Sequence, residues 1–187
     1  MLRSTALFVF CLLLLIGIGH LIDDFIPSLT RAFGARVLLV PVIFFACALT
    51  VPFPVMLLFA FVSGLIWDAR HMVVGEASSV EFGLSILLFA LTGALMQGVR
   101  PLFRRGRWEF PLVMVGVATV ILLTLEWFLV SFQRGHFTAP GDFWYRVWTS
   151  ALLGMLVSPL LFFLIFKLAK ATGFRIEMMH APLTRSP

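Results

Sequence analysis

A run of 31 residues without a formal charge, from Val37 to Trp67, limits what this chain can fold into. About 20 apolar residues cross the hydrocarbon layer of a membrane as one helix, so the run is too long for one upright helix and too short for two complete ones. Pro52 and Pro54 lie within it. Each proline lacks a backbone donor and moves the preceding residue out of helical geometry. We therefore predict two membrane-spanning helices joined by a tight turn at these prolines.

Similar charge-poor runs recur along the rest of the chain. The sequence is 61% hydrophobic and 12% charged, whereas soluble domains average about 45–50% apolar and about 25% charged residues. We predict an all-α, polytopic membrane bundle of six transmembrane helices over residues 1–170, followed by a short cytoplasmic tail over 171–187. The predicted spans are 4–22, 30–50, 53–67, 82–99, 110–133 and 147–166.

The placement of charges predicts the orientation of these spans. With both termini in the cytoplasm, the inner segments carry nine of the 14 basic residues, and most acidic residues fall on the outer loops. Membrane proteins carry an excess of Lys and Arg on their cytoplasmic loops. This pattern accounts for the net charge of +5, so we predict a multi-pass protein in the lipid bilayer and no nucleic-acid partner.

Residues that commonly carry chemistry are sparse. The four histidines are scattered over the first span, two outer loops and the tail, which is not the spacing of metal ligands. Cys11 and Cys47 fall in different hydrophobic spans and are expected to be buried and inert. Glycine-rich phosphate loops and metalloprotease motifs are not found in the sequence. We expect no catalytic residue, no cofactor and no metal.

Glu126 is the one acid well inside a predicted span. A carboxylate at membrane depth is costly, and such a residue is by default a candidate for function. Glu126 lies toward the outer end of its span beside Trp127, so one interpretation is a structural role in which it reaches interfacial water. The other is a contact with a partner or an ion. Candidate partners within the molecule are His20, Asp23 and Asp24.

Small residues recur at every fourth position on three predicted helices. Such stripes let membrane helices approach closely. They serve either packing within the bundle or a seam for another membrane protein. The three stripes are Ala60, Gly64 and Asp68; Ala90, Ala94 and Gly98; and Ser150, Gly154 and Ser158.

The stretch from Phe61 to Asp68 reads F-V-S-G-L-I-W-D, and Gly83 follows at the start of the next predicted span. Here the sequence resembles the bacterial rod-shape-determining MreD family, whose members end one helix with G-L-x-x-D and begin the next with an L-G type of start. The resemblance covers residues 37–170. It departs from the family in a longer gap between Asp68 and Gly83, and in Ser158, where an aromatic residue commonly precedes the proline. Further points of resemblance are the hairpin at Pro52, the basic loop 104–108, the acid at Glu126 and the last helix at Pro159.

The resemblance implies a non-enzymatic scaffold of the cell-elongation complex in the bacterial inner membrane. Its partner would be an MreC-type membrane protein and, indirectly, the MreB cytoskeleton, the RodA polymerase and its transpeptidase, in support of lateral peptidoglycan synthesis and cell shape. The alternative is a vitamin-binding substrate-capture subunit of an energy-coupling-factor transporter, a fold that MreD is thought to resemble. An intramembrane enzyme would require Glu126 to pair with a second acid. The residues expected to pack helices or contact a partner are Ala60, Gly64, Asp68, Gly83, Glu126, Gly154 and Pro159.

Overall fold

The fold is all-helical in a computed structural model, which describes residues 2–26, 37–74, 82–100, 109–133, 135, 137 and 141–174. These residues form six α-helices, the number that the sequence predicts. Their bounds are α1 (Leu2–Phe25), α2 (Leu39–Thr50), α3 (Phe53–Val74), α4 (Leu84–Val99), α5 (Glu109–Gln133) and α6 (Asp142–Thr172).

Four of the helices, α1, α3, α5 and α6, are long and apolar enough to cross a membrane. This is consistent with the predicted membrane protein. The other two, α2 and α4, are also apolar but have only 12 and 16 residues. At 1.5 Å per residue they measure about 18 and 24 Å.

The turn between α2 and α3 lies where the prolines predict it. Helix α2 ends at Thr50, and α3 begins at Phe53. Pro54 lies in the first turn of α3, where its missing N–H would have no partner inside the helix in any case. Pro52 contributes its carbonyl, which accepts a hydrogen bond from the amide of Met56 at 3.0 Å.

Several helix bounds differ from the predicted spans. The predicted span 30–50 is too long, because α2 begins at Leu39 and residues 37 and 38 are not helical; residues 30–36 lie outside the described part of the chain. In contrast, α3 and α6 extend beyond the predicted span ends at residues 67 and 166. The prediction ended each span at the first charged residue, whereas these helices continue through their charged end turns.

The predicted tail begins too early. Helix α6 runs to Thr172, and the ring of Phe174 stacks on that of Phe8 in α1 with centroids 4.4 Å apart. These residues therefore belong to the bundle, because the ring of Phe174, two residues beyond the end of α6, buries apolar surface against α1. Residues 175–187 lie outside the described part of the chain.

Helix α2 occupies the centre of the bundle. The other five form a closed ring in the order α1, α3, α4, α5, α6 and back to α1, and α2 packs against every one of them. All residues of α2 after the first, Val40 to Thr50, are buried. A helix that is apolar on every side belongs in such a position, because none of its faces requires water.

Contacts between helix ends show that consecutive helices alternate in direction. Asp23 near the end of α1 contacts the start of α2, Asp68 near the end of α3 contacts the start of α4, and Trp127 in the second half of α5 contacts the start of α6. The end of the bundle that holds these contacts is called the Asp23 end below. The opposite end is called the Arg100 end.

A buried polar layer as the candidate functional site

Helices α3 and α4 are in backbone contact at Gly64. A Cβ atom built on Gly64 would lie 2.5 Å from both the Cα and the backbone N of Ile86, closer than real Cβ atoms approach other atoms. Only glycine permits this approach without a shift of one helix. Ala60, one turn earlier on the same stripe, has no exposed surface. The structure therefore places this stripe inside the bundle, against α4.

Asp68, the third member of that stripe, links the end of α3 to the start of α4. Its Oδ2 accepts a hydrogen bond from the backbone N–H of Gly83 at 2.7 Å. Gly83 is the N-cap residue of α4 and has φ +98°, in the left-handed region that glycine occupies without strain. Gly83 has no side chain that could cap the helix, so the carboxylate of Asp68 accepts the hydrogen bond of one of the free amides at the start of α4. Residues 75–81, between the two helices, lie outside the described part.

The stripe on α6 also packs within the bundle. A Cβ on Gly154 would lie 3.0 Å from a methyl carbon of Val42 in α2 and 3.7 Å from the hydroxyl of Thr119 in α5. Ser150 and Ser158 on the same stripe are buried. This stripe thus brings α6 close to both the central helix and its neighbour in the ring.

The stripe on α4 differs from the other two. Ala90 and Ala94 are partly exposed and Gly98 is exposed. A Cβ on Gly98 would meet no other described atom within 4 Å. Ala90 and Ala94 also pack against the buried core, so among the described residues only the Gly98 end of this face is open.

Pro159 lies inside α6, where its missing N–H frees the carbonyl of Met155 four residues earlier. The hydroxyl of Ser158 donates a hydrogen bond to that carbonyl at 2.9 Å. Ser158 is completely buried. Serine hydroxyls satisfy freed backbone groups in this way in membrane helices. Ser158 therefore has a definite structural role.

A polar cluster joins α1 to α3 at the Asp23 end. Arg70 of α3 forms an ion pair with Asp24 and contacts Nδ1 of His20 at 3.2 Å. An arginine can only donate, so Nδ1 of His20 must be the acceptor and the neutral ring carries its proton on Nε2. His20 is 3% exposed, and neither its Nε2 nor the Oγ of Ser63 has a hydrogen-bond partner among the described residues.

Both ends of the central helix are capped by side chains of other helices. The two carboxylate oxygens of Asp23 accept hydrogen bonds from the amides of Leu39 and Val40 at 3.0 and 3.2 Å. This contact explains why α2 begins at Leu39, since a carboxylate at the first amides takes the place of a local cap.

At the other end of α2, the side-chain amide of Gln97 in α4 donates to the carbonyls of Ala48 and Val51 at 2.6 and 2.8 Å. Arg100 also donates to Val51 at 3.3 Å. Backbone groups without partners are costly inside a membrane. These caps allow a 12-residue helix to end inside the bundle.

Glu126 lines a small cavity between α3, α4 and α5. The cavity has room for about one water molecule. The candidate partners proposed for Glu126 are engaged elsewhere: His20 and Asp24 contact Arg70, and Asp23 caps α2. The other lining residues are Trp67, Ser85, Leu88, Phe89 and Leu122.

Aromatic residues surround the Asp23 end of α5 and α6. The ring of Trp127 contacts those of Phe143 and Phe137, and Trp144 packs against Phe143. Trp144 and Trp148 are exposed. Tryptophan rings prefer the headgroup level of a membrane, so this cluster is where an interface is expected.

Among the described residues, no group of three or more His, Cys, Asp and Glu side chains could hold a metal ion. We find no protein-family model, curated protein or solved structure that matches the chain. The sequence reasoning missed the capping roles of Asp23 and Gln97 and the position of Arg70. Gln97 was the available signal for the cap at the end of α2, because a side-chain amide alone at the end of an apolar span needs a hydrogen-bond partner when it is buried.

Proposed function

We propose that this chain is a non-enzymatic scaffold of the bacterial cell-elongation complex, similar to the MreD family, that binds an MreC-type membrane protein in the inner membrane. One observation carries the proposal. Gly64, Asp68 and Gly83, the residues on which the resemblance rests, come together in a single joint between α3 and α4. The joint provides close packing and helix capping, which is the chemistry of a scaffold.

The His20 cluster also supports a role without catalysis. A histidine acts as a general base for a serine through an unprotonated ring nitrogen. Arg70 occupies Nδ1 of His20 and leaves the proton on Nε2. Because Arg70 contacts both His20 and Asp24, the cluster is suited to hold α1 against α3.

Within this proposal the chain crosses the inner membrane six times, with both termini in the cytoplasm. The alternating helix directions support it, because α2 and α4 run between the same two ends as the four longer helices. Asp23, Gln97 and Arg100 satisfy the ends of α2, which is too short to span the hydrocarbon layer alone.

Cysteine labelling tests this topology. In a variant without Cys11 and Cys47, we expect Asp24→Cys and Asp142→Cys to react with a membrane-impermeant maleimide in intact spheroplasts. Lys170→Cys should react only after the membrane is opened. Labelling of Asp24→Cys and Lys170→Cys from the same side would contradict six passes.

The partner would bind along the partly exposed stripe on α4. The other two stripes lie inside the bundle, whereas Gly98 is exposed and Ala90 and Ala94 keep part of their surface exposed, which suits a single transmembrane helix that approaches closely. We expect Gly98→Leu to reduce co-purification with an MreC-type protein and to widen cells that depend on the variant. Gly17→Leu on α1 is the matched control, since a Cβ there also meets no described atom within 4 Å. Equal binding by the two variants would argue against this face.

The vitamin-binding alternative stays a prediction. The described cavity at Glu126 has room for about one water molecule, and a vitamin would require a much larger space. Tight binding of a vitamin by the purified protein, together with unchanged cell width on depletion, would favour the alternative over the scaffold.

A further inference from the structure

The contact between Arg70 and His20 depends on the protonation state of the histidine. A guanidinium nitrogen of Arg70 lies 3.2 Å from Nδ1 of His20. A guanidinium has donors only, so Nδ1 accepts this hydrogen bond through a free lone pair. A protonated histidine carries a donor on both ring nitrogens. Protonation of His20 would therefore replace the hydrogen bond with two donors, and two positive charges, that face each other.

The surroundings of His20 provide little screening for these charges. The side chain is buried, and its Nε2 has no hydrogen-bond partner among the described residues. Its ring forms a T-shaped contact with that of Trp67 in α3. Like charges repel more strongly in a low-dielectric setting than in water. A protonated ring and the Arg70 guanidinium would therefore favour separation.

Two charged groups act on His20, namely Arg70 of α3 and Asp24 of its own helix. The other acids on these two helices near this end are engaged with backbone amides: Asp23 with the start of α2, and Asp68 with the start of α4. Helix α2, which also packs against α1, has no charged residue. The titratable residues near the start of α6, a further neighbour of α1, are exposed: Asp142, Tyr145 and Arg146.

Asp24 is placed to pair with either cation. In the structure it forms an ion pair with Arg70, which links α1 to α3. His20 and Asp24 are four residues apart on α1, the spacing at which side chains of one helix meet. A protonated His20 can therefore pair with Asp24 within its own helix, and such a pair does not hold α3.

The link between α1 and α3 can change without disturbing the rest of the bundle. Among the described residues, these two helices are the least closely packed neighbours in the ring. The side chains of Arg70 and Asp24 are partly exposed, so Arg70 can move into water while both helices stay folded. The polar cluster therefore has two arrangements that differ in whether they join α1 to α3.

We propose that His20, Asp24 and Arg70 form a proton-sensitive latch between α1 and α3. The latch is closed when His20 is neutral and Arg70 contacts both residues of α1. It opens when His20 gains a proton, pairs with Asp24 and releases Arg70. High pH therefore favours the closed latch and low pH the open one. The latch does not depend on the scaffold function, and its test does not involve the partner protein.

A distance between spin labels on the two helices tests the latch. Ile22→Cys on α1 and Ala69→Cys on α3 place the labels at exposed positions near the Asp23 end, in a full chain whose own cysteines are replaced by Ala. The other histidines, His71, His136 and His180, are replaced by Gln. In nanodiscs, we expect double electron–electron resonance to show a longer and broader distance as the pH is lowered from about 8 to about 4, across the range in which histidines titrate.

Two variants separate the latch from a general effect of acid. The side-chain oxygen of His20→Gln can accept a hydrogen bond from Arg70 and does not titrate, so the short distance should persist over the whole pH range. Arg70→Met removes the link in both protonation states of His20. Its distance should therefore be long already at the highest pH. Circular dichroism checks that the helix content of both variants equals that of the labelled parent.

Three results would overturn the proposal. An unchanged distance in the parent would show that protonation does not open the contact. Equal opening in His20→Gln would assign the effect to the carboxylates. A short distance in Arg70→Met over the whole pH range would show that Arg70 does not hold α1 and α3 together.

Discussion

The carboxylate of Asp68 accepts a 2.7 Å hydrogen bond from the backbone amide of Gly83, fifteen residues further along the chain. Asp68 is buried in the second half of α3, and Gly83 is the residue in left-handed conformation from which α4 starts. The pair therefore fixes the start of α4 against α3. Gly64, one turn before Asp68, holds the two helix backbones together in the same region.

Replacing Asp68 tests this cap. We expect Asp68→Ala to lower the free energy of unfolding by about 1–3 kcal/mol, because the Gly83 amide loses its acceptor in a part-buried position. Asp68→Asn retains a side-chain oxygen and should lose less. Equilibrium unfolding in mixed micelles, followed by circular dichroism, measures both values. Equal losses for the two variants would mean that the negative charge matters and the acceptor does not.

Two glycine substitutions, one on α3 and one on α4, should differ in their effect on stability. Gly64→Ala places a methyl group 2.5 Å from the backbone of Ile86, and we expect it to destabilise the bundle by about 1–3 kcal/mol. Gly98→Ala meets no described atom within 4 Å. It should be neutral or stabilise by up to about 1 kcal/mol through helix propensity. The same unfolding measurement compares them, and a neutral Gly64→Ala would disprove the backbone contact.

The cap on the start of α2 predicts a local change in hydrogen exchange. In Asp23→Ala, the amides of Leu39 and Val40 lose their acceptors, so their exchange should become faster than in the unchanged protein. Asp24→Ala removes the neighbouring carboxylate, which pairs with Arg70 and not with α2. That variant should leave exchange at Leu39 and Val40 unchanged. Faster exchange in both variants would indicate a general loosening of α1.

Ser158 and Pro159 should be energetically coupled. Alone, Ser158→Ala is expected to cost about 1 kcal/mol, since the carbonyl of Met155 loses its donor. With Pro159→Ala also present, residue 159 has an N–H that can donate to Met155, so Ser158→Ala should cost less. A double-mutant cycle of unfolding free energies measures this coupling. Additive effects would show that the serine hydroxyl does not replace the missing bond.

The sequence predicts the helices well because their signals are local. Uncharged runs mark six apolar helices, and Pro52 with Pro54 marks the break between α2 and α3. The G-L-x-x-D stretch and Gly83 also lie in a structural joint, where Asp68 near the end of α3 accepts a hydrogen bond from Gly83 at the start of α4.

The start of α2 and the order of the ring are not predictable in the same way. Leu39 begins α2 because Asp23, sixteen residues earlier, caps it, and Gln97 reaches the other end across 46 to 49 residues. Apolar side chains cover both the core and the lipid face of a membrane helix, so hydrophobicity alone does not show which helix is central. Gly64 and Gly98 illustrate the difficulty, because both belong to small-residue stripes and only Gly64 contacts another helix backbone.

The side-chain caps on α2 also bear on how the chain matures during synthesis. A ribosome delivers α2 together with Asp23, but Gln97 follows 46 residues after Val51. At a synthesis rate of about 5–20 residues per second, Gln97 is added several seconds after the carbonyls at the end of α2 that it caps. Completion of the centre of the bundle therefore depends on the synthesis of α4. A truncation that ends before Gln97 should accordingly be recognised as incomplete and degraded.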